Sequence, residues 1–251
     1  MTIAAVTFDL WDTMIVDESD EPGRRARGLP PKGEHRRRLV HEALAREAPI
    51  DYAAVALAYD VADAAFDKVW KEHHVTWTVR ERLRVLLAGL GRSLPQAAFD
   101  RLVAAHETME IEVVPDAVEG IGEALAALAA RYRLGVVSDS IVSPGRVLRQ
   151  ILEHHGLARH FSAFVFSDEI GCAKPDARMF GAAAEALGVD PVRMVHVGDR
   201  EHNDVEGPKA LGMKAVLFTG VRAVDEARTT ADAVCRRHAD LPALVAGLDE
   251  G

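Results

Sequence analysis

The feature that most restricts the fold is a regular alternation of short β-branched runs with segments of helical spacing. The runs are IAAVTF (3–8), LGVVS (134–138), AFVFS (163–167), MVHVG (194–198) and KAVLF (214–218). Each of the last four follows a segment in which apolar residues recur at helical intervals, namely 117–132, 143–156, 176–188 and 203–212. Strands that alternate with helices predict an α/β fold with a doubly wound parallel sheet covered on both faces.

A long interval without strand signal separates the first run from the second. Its spacing predicts helices at 34–47, 51–72, 78–90 and 93–109. Two of these begin with a predicted capping box, Thr78 with Glu81 and Ser93 with Gln96, and in the later core Ser143 is the expected N-cap of the helix at 143–156. We therefore predict an α/β core formed by residues 1–16 and 115–251, interrupted by a helical domain at 17–114.

The charge balance argues against two classes of partner. The chain has 251 residues, a formal net charge of −9 and a pI of about 5.7, whereas nucleic-acid and anionic-membrane binders need a basic face. The densest basic stretch, residues 23–38, is broken by Gly and Pro, so we interpret it as a solvated loop and helix start rather than a polyanion site. We expect neither a nucleic-acid nor a membrane partner.

The cysteine usage and the first residues favour a cytoplasmic protein. Cys172 and Cys235 have no paired metal-ligand spacing, and two cysteines suit a reduced compartment better than a disulfide scaffold. The opening MTIAAVTFDL has neither a basic leader nor a long apolar stretch, so we expect no signal peptide or membrane span there. The oligomeric state is open between monomer and homodimer.

Polar residues follow the predicted strands at what would be one edge of the sheet. Asp9 follows the first run, the sequence SDS (138–140) ends the second, Lys174 comes after the third, and Asp199 and Asp204 follow the fourth. A single aspartate after a strand is commonly a turn residue. Because ligands of open parallel sheets bind beyond the carboxyl ends of the strands, this ordered set predicts a charged site there.

These segments resemble the haloacid dehalogenase-like hydrolase superfamily, in the branch with a helical cap inserted after the first strand. The resemblance is carried by FDLWDT (8–13), PDAVEGIGEALAALAARYRLGVVSDS (115–140), FSDEIGCAKPDARMF (166–180) and VHVGDREHNDVEGPKALGM (195–213). It covers residues 1–16 and about 115–225. It implies a Rossmann-like core with an inserted α-helical cap, and residues 17–114 resemble that cap only in position and helicity.

The resemblance implies a hydrolase of small phosphorylated metabolites that works through an aspartyl-phosphate on Asp9. A carboxylate that approaches an anionic phosphate is repelled, so the chemistry needs Mg²⁺. The implied metal group is Asp9, the backbone carbonyl of Trp11, Asp199 and Asp204, with Asp204 expected to orient the lysine or metal-bound water.

Further roles are implied for residues around this group. Lys174 would place positive charge against the phosphoryl group, and Ser138 would donate a hydrogen bond to a transferring oxygen. Trp11, Thr13 and Asp139 would lie at the substrate, with the Thr13 hydroxyl holding the turn after the first strand.

Trp11 departs from the pattern of the family's phosphatases, which have an acidic residue two positions after the nucleophile. Indole N–H does not titrate, so it cannot protonate a leaving group or activate water. We interpret the adjacent Asp12 as a turn residue. The missing acid leaves three possibilities open: a substrate with a good leaving group, an acid from the cap at His73, His74 or His106, or a different reaction.

Two alternative functions therefore remain open. A metal-independent 2-haloacid dehalogenase would explain an aromatic residue at Trp11 and would hold halide with an arginine such as Arg24, Arg25 or Arg27. The acidic pair in GDREHND (198–204) argues against it, because without a cation these charges would repel a carboxylate substrate. A regulatory protein that binds a phosphorylated ligand without turnover is the other alternative.

Overall fold

The fold is described here from a computed structural model, for residues 2–250. Within that range the chain forms one sheet of six parallel strands in the order β3-β2-β1-β4-β5-β6. The strands are β1 Ala5–Phe8, β2 Arg133–Ser138, β3 Ala163–Phe166, β4 Met194–Gly198, β5 Lys214–Phe218 and β6 Ala233–Cys235. The five predicted strands are confirmed within two residues at each end. The short edge strand β6 was not predicted, because three residues give too little pattern to recognise.

The helices alternate with these strands as the sequence predicts. Those between β1 and β2 are α1 Glu21–Ala26, α2 Lys32–Ala45, α3 Tyr52–His73, α4 Val79–Gly89, α5 Gln96–Glu107, α6 Met109–Glu112 and α7 Ile121–Ala129. Those after β2 are α8 Gly145–His154, α9 Ser167–Ile170, α10 Ala177–Leu187, α11 Gly207–Lys209 and α12 Leu241–Glu250. The segment predicted as one helix at 203–212 is instead a π-helical turn at Glu201–Glu206 that leads into α11.

Helices cover both faces of the sheet. On one face, the apolar residues of α7, α8 and α12 join the central strands in the largest buried cluster, which includes Leu125, Leu148 and Val245. On the other face α10 packs against the sheet through Met179 and Phe180. Both faces are therefore removed from water, as a doubly wound sheet of mostly apolar strands requires.

The direction of winding reverses between β1 and β4. The chain passes from β1 to β2 and β3 on one side, and returns to β4, β5 and β6 on the other. The backbone N–H of Asp9 donates to the carbonyl of Val197 (2.9 Å), so the chain after β1 stays paired with the end of β4. A reversal of this kind opens a crevice beyond the strand ends, which is where such sheets bind ligands.

Helices α2 to α5 have an apolar cluster of their own. It is built from residues that include Leu44 on α2, Val55 on α3, Leu83 on α4 and Leu102 on α5, each at most 4% exposed. Val142, from the segment after β2, packs against it. The helical segment thus has its own core and also touches the α/β core.

Two of the three predicted helix caps are wrong. The Thr78–Glu81 capping box is formed in both directions. The Ser93–Gln96 box is not, because α5 begins after Pro95 and Gln96 instead donates to Asp100 on the next turn. Ser143 does not cap α8, since its hydroxyl donates to Glu110 and Pro144 holds the N-cap position.

The basic stretch at 23–38 is less exposed than its composition predicts. Arg24 is fully buried, and its guanidinium lies 3.6 Å from Glu112. Lys32 is also buried and donates to Asp20 (2.8 Å). Arg24 and Lys32 therefore form ion pairs within the protein, which composition alone could not reveal. Across the described residues, every helix falls short of the length and hydropathy needed to cross a bilayer.

Candidate functional site

A small cavity, open to solvent, lies beyond the carboxyl ends of β1, β2 and β4, under the helical segment. Its walls come from both parts of the chain: Asp9, Trp11, Trp70, Ser138, Asp139, Ile141, Lys174, Arg200, Asn203 and Asp204. Most of the residues selected from the sequence therefore meet at one place. Thr13 and Asp199 are buried beside the cavity but do not line it.

Lys174 is at the centre of the charged groups. Its ammonium Nζ donates to Asp9 Oδ1 (2.7 Å) and to Asp204 Oδ1 (2.6 Å), and the residue is only 4% exposed. Burial alone would lower the pKa of Lys174, but the carboxylates of Asp204 and Asp9 raise it above its ordinary value. The lysine is therefore held as a cation against Asp9.

Both oxygens of Asp204 are occupied by groups of the protein. Oδ1 accepts from Lys174 and lies 3.3 Å from His196 Nε2, and Oδ2 accepts the backbone N–H of Arg200 (3.0 Å). Burial would raise the pKa of Asp204, but Lys174 and the hydrogen bond from His196 lower it below its ordinary value. These contacts suit a residue that positions Lys174, the role expected from the sequence.

His196 extends this network into the sheet and was not selected from the sequence. Its Nδ1 lies 2.9 Å from the hydroxyl of Thr7 on the neighbouring strand, and burial lowers the pKa of the ring. A neutral ring can donate from Nε2 to Asp204 and accept at Nδ1 from Thr7. The available signal was a histidine in the middle of the apolar strand MVHVG.

Three carboxylates form a dense acidic cluster. One oxygen each of Asp9, Asp199 and Asp204 lies within 4.8 Å of the others. Asp199 Oδ2 is buried and accepts no hydrogen bond from the described residues, and the nearest cations, Arg222 Nη1 and Arg200 Nε, lie 3.7 and 3.8 Å away. Burial, with the charges of Asp204 and Asp9, raises the pKa of Asp199 to about 8. The cluster holds more negative charge than Lys174 balances, and its oxygen donors suit a hard divalent cation.

Ser138 and Asp139 bring the end of β2 into the site. Ser138 is fully buried, and its hydroxyl has no hydrogen-bond partner in the described part of the chain, so it is available to a ligand. Asp139 accepts the backbone N–H of Lys174 (2.9 Å) and the side-chain amide of Asn203 (3.4 Å). Burial raises the pKa of Asp139 to about 6. Asp139 thus ties together three of the loops that form the cavity.

The turn after β1 is held differently from the sequence prediction. Asp12 has a positive φ of 52°, and its Oδ1 accepts the backbone N–H of Asp17 (3.0 Å), so it is a turn residue as interpreted. The Thr13 hydroxyl makes no hydrogen bond to the described residues, which contradicts its predicted role in the turn. The turn is instead anchored by its backbone, because His238 Nε2 lies 2.7 Å from the Thr13 carbonyl oxygen.

The residues considered as sources of an acid or a halide site do not line the cavity. His106 is buried inside the helical segment beside Leu102, and His73 is exposed at the end of α3. His74 ends α3 and accepts the backbone N–H of Ala173 (2.7 Å). The arginines at 24, 25 and 27 also lie outside the cavity lining.

Of the described residues in the helical segment, Trp70 lines the cavity, and no sequence pattern singled it out. Its ring is stacked on Phe66, with centroids 6.3 Å apart and planes inclined by 14°. The guanidinium of Arg82 lies 4.4 Å from the Phe66 ring centroid and donates to the carbonyl of Ile141, which also lines the cavity. This chain of contacts fixes the indole wall against the core.

Comparison with known proteins identifies the architecture. Residues 3–212 match the family described as haloacid dehalogenase-like hydrolase. The chain belongs to this family. This hydrolase is 32% identical over 197 residues to a phosphoserine phosphatase of Thermus thermophilus, which covers 73% of this chain and 74% of that protein.

Other relatives match over shorter or more divergent lengths. This hydrolase is 38% identical over 112 residues to mouse haloacid dehalogenase-like hydrolase domain-containing protein 3, and the match spans 45% of this chain and 42% of the mouse protein. Among solved structures, a phosphatase of the family from Thermococcus onnurineus superposes with a TM-score of 0.65 at 22% identity, covering 98% and 99% of the two chains. A 2-haloacid dehalogenase from Pseudomonas syringae superposes with 0.68 at 21% identity over the same shares. At such identity the structures share the fold alone, so the site must decide the chemistry.

Proposed function

We propose that this hydrolase is a magnesium-dependent phosphatase that removes phosphate from small phosphorylated metabolites through an aspartyl-phosphate on Asp9. The observation that carries the proposal is the arrangement around Asp9: Lys174 on one oxygen, two further buried carboxylates within 4.8 Å, and the unpartnered Ser138 hydroxyl beside the same cavity. The phosphatase names of relatives, among them phosphoserine phosphatase and phosphoglycolate phosphatase, support it.

Each residue of the core has a distinct task in this reaction. Asp9 attacks phosphorus and forms the phosphoenzyme, which water then cleaves to inorganic phosphate. Lys174 keeps its positive charge in the buried site and offsets charge on the transferring group. The Ser138 hydroxyl donates to a phosphoryl oxygen and thereby acquires the partner that it lacks.

The acidic cluster suits Mg²⁺, because its donors are carboxylate oxygens and one of them is buried without a hydrogen bond. Asp9, Asp199 and the Trp11 carbonyl would hold the ion. When bound, the ion neutralises the repulsion between the cluster and the phosphate. Asp204 was grouped with the metal ligands from the sequence, and its hydrogen bonds to Lys174 and Arg200 favour positioning of the lysine as its task.

The helical segment would act as a cap over this site. We assign residues 17–114 to the cap and the rest to the core, with Trp11 and Asp139 at the substrate. Thr13 would then support the turn rather than contact substrate, since it does not line the cavity. Both cysteines are free and buried, which fits the cytoplasmic location expected from the sequence.

The deciding experiment measures phosphate release from a panel of phosphorylated metabolites and acetyl phosphate. Activity should require Mg²⁺, disappear with EDTA, and fall by about 10³-fold or more in Asp9→Asn, because an amide is a poor nucleophile. Asp12→Asn is the matched control three residues away. Asn keeps the hydrogen bond to Asp17 and tolerates the positive φ, so this variant should retain most of the activity.

Two outcomes would replace the proposal. Metal-independent halide release from 2-haloacids by the wild type would identify a dehalogenase. Mg²⁺-dependent binding of phosphorylated ligands without product, for good and poor leaving groups alike, would identify a regulatory binding protein. Loss of activity in Asp12→Asn would mean that Asp12 serves as the general acid.

A further inference from the structure

Among the described residues that line the cavity, no carboxyl group stands at the position of Trp11, where the family's phosphatases have their acid. Asp139 accepts hydrogen bonds on both oxygens from the loops that it joins, and Asp12 accepts one from Asp17 outside the cavity lining. The cap histidines also lie outside the lining. The leaving oxygen must therefore depart as an anion. An alkoxide is about as basic as hydroxide, whose conjugate acid has a pKa of about 15.7, whereas a phenol has a pKa of about 10.

The cavity lining also has apolar and aromatic members. Trp11, Trp70 and Ile141 line it together with the charged residues of the core. Aromatic faces favour a planar ring through offset or edge contacts.

Trp70 adds a hydrogen-bond donor to this apolar wall. Its Nε1–H is buried and donates to no acceptor among the described residues, and an unpaired buried donor is destabilising. The ring is held in place by Phe66, which in turn contacts Arg82. A rigid indole with an unused N–H is suited to a ligand that has both an aromatic face and an oxygen substituent.

We propose that this site hydrolyses aryl phosphate monoesters with a single small ring, seated against Trp11 and Trp70. The inference rests on the proposed phosphatase function. Asp9 forms a bond to phosphorus while the bond from phosphorus to the aryl oxygen breaks, and the electron pair leaves on the phenolate. Water then cleaves the aspartyl-phosphate, which restores the Asp9 carboxylate and yields dihydrogen phosphate, and the released phenolate takes a proton in solution. Protonation by the enzyme is therefore not required.

The test compares phenyl phosphate with cyclohexyl phosphate, which has a ring of similar size, and with acetyl phosphate, which has a good leaving group and no ring. We expect kcat/KM for phenyl phosphate to exceed that for cyclohexyl phosphate by about 10²-fold or more, the lower end of what general acid catalysis contributes. Among substituted phenyl phosphates, kcat/KM should rise as the pKa of the phenol falls. Trp11→Asp should lower the ratio of kcat/KM for phenyl phosphate to kcat/KM for cyclohexyl phosphate at least about tenfold, because the added carboxyl group accelerates hydrolysis of the cyclohexyl ester.

The Trp70 variants test recognition of the ring separately from the leaving group. Trp70→Leu should raise KM for phenyl phosphate about tenfold, since an aromatic contact and its buried area are lost, and should raise KM for acetyl phosphate by a smaller factor. Trp70→Phe keeps the ring and removes the N–H, so it should have an intermediate KM. Urea unfolding curves identify any variant whose fold is damaged.

The outcomes separate this inference from the proposed function. Equal kcat/KM for phenyl and cyclohexyl phosphate, or an unchanged KM for phenyl phosphate in Trp70→Leu, overturns the aryl assignment. If acetyl phosphate is still hydrolysed in an Asp9-dependent manner, the phosphatase function stands without it. Absence of Asp9-dependent phosphate release from all three substrates overturns both.

Discussion

The two sides of the cavity are built in different ways. On the core side, Lys174 bridges Asp9 and Asp204 at 2.7 and 2.6 Å, and each of these residues follows a strand of the sheet. On the side of the helical segment, Trp70 reaches the cavity from the last turn of the long helix α3 and is supported by Phe66. The charged groups are thus placed by sheet topology, and the indole is placed by side-chain packing between helices.

The two sides should therefore respond differently to substitution. A buried ion network leaves uncompensated charge when one member is removed, which typically costs about 3–5 kcal/mol. An aromatic wall loses contact area and keeps no unpaired charge, so its loss is graded. We therefore expect core substitutions to affect every substrate, and cap substitutions to change the preference among substrates.

Lys174→Met should give the largest effect. It removes the cation that faces Asp9 and Asp204, so phosphate release should fall by about 10²- to 10³-fold for every substrate, as for loss of one electrostatic donor. The free energy of unfolding should fall by about 3–5 kcal/mol, because the carboxylates stay buried without their partner. Steady-state kinetics and urea unfolding measure the two effects.

Lys209→Met is the matched control for this prediction. Lys209 lies 3.9 Å from Asp232 with both side chains about one third exposed, and such pairs contribute roughly 0–1 kcal/mol. Activity and stability should remain near those of the wild type. If Lys174→Met keeps more than a tenth of the wild-type kcat on phenyl phosphate or acetyl phosphate, Lys174 does not have the catalytic role proposed for it.

A fall in pH should lower the stability of the two regions through buried histidines, among them His106 in the helical segment and His238 in the core. Burial lowers the pKa of each to about 4, below the usual 6.5, so both are neutral in the folded protein at pH 7. Between pH 6.5 and 4 the unfolded chain binds more protons, so stability is fully present above pH 6.5 and is lost as the pH falls toward 4. For His106 the loss is roughly 2–3 kcal/mol at pH 4.5.

His106→Phe should remove the cap's share of this loss. Phe keeps a ring against Tyr59, whose ring lies 6.1 Å from that of His106, and it does not titrate. The free energy of unfolding falls between pH 7 and pH 4.5, and this fall should be smaller by roughly 2–3 kcal/mol in the variant. Urea unfolding followed by tryptophan fluorescence measures it. The exposed His73 provides the control, because His73→Gln should change the free energy of unfolding by less than about 0.5 kcal/mol, as surface substitutions usually do. An unchanged dependence in His106→Phe would show that this histidine does not stay neutral when the cap folds.

The sequence predicted the core side of the site because the chemistry is local to strand ends. Asp9, Ser138, Lys174 and Asp204 each follow a recognisable apolar run, and the parallel order of those runs brings them to one edge. His196 was not predicted as a site residue, because its role depends on which strand lies beside it. The Thr13 hydroxyl was predicted to hold the turn, but the contact with His238 is made by the Thr13 carbonyl oxygen. Sequence spacing cannot distinguish between these two groups.

The side formed by the helical segment could be predicted only as helices. Positions and lengths of α2 to α5 followed from periodicity, but Trp70 reaches the cavity through the tertiary packing of α3. Burial of Arg24 and Lys32 likewise depends on Glu112 and Asp20, whose proximity arises from the fold. Residue spacing within one helix carries no information on such contacts between helices.

The smallest expected effect distinguishes two similar helix-capping motifs in the helical segment. Thr78 accepts the backbone N–H of Glu81, and Glu81 accepts the backbone N–H of Thr78 (2.8 Å), so Thr78→Ala should lower the free energy of unfolding by about 1 kcal/mol. Ser93→Ala is the matched substitution at the motif that does not form, since α5 begins after Pro95, and it should change stability by less than about 0.5 kcal/mol. Urea unfolding of both variants measures the difference. Equal losses would mean that Ser93 caps the helix in solution, and that cap geometry in the helical segment follows local sequence as closely as the strand ends of the core do.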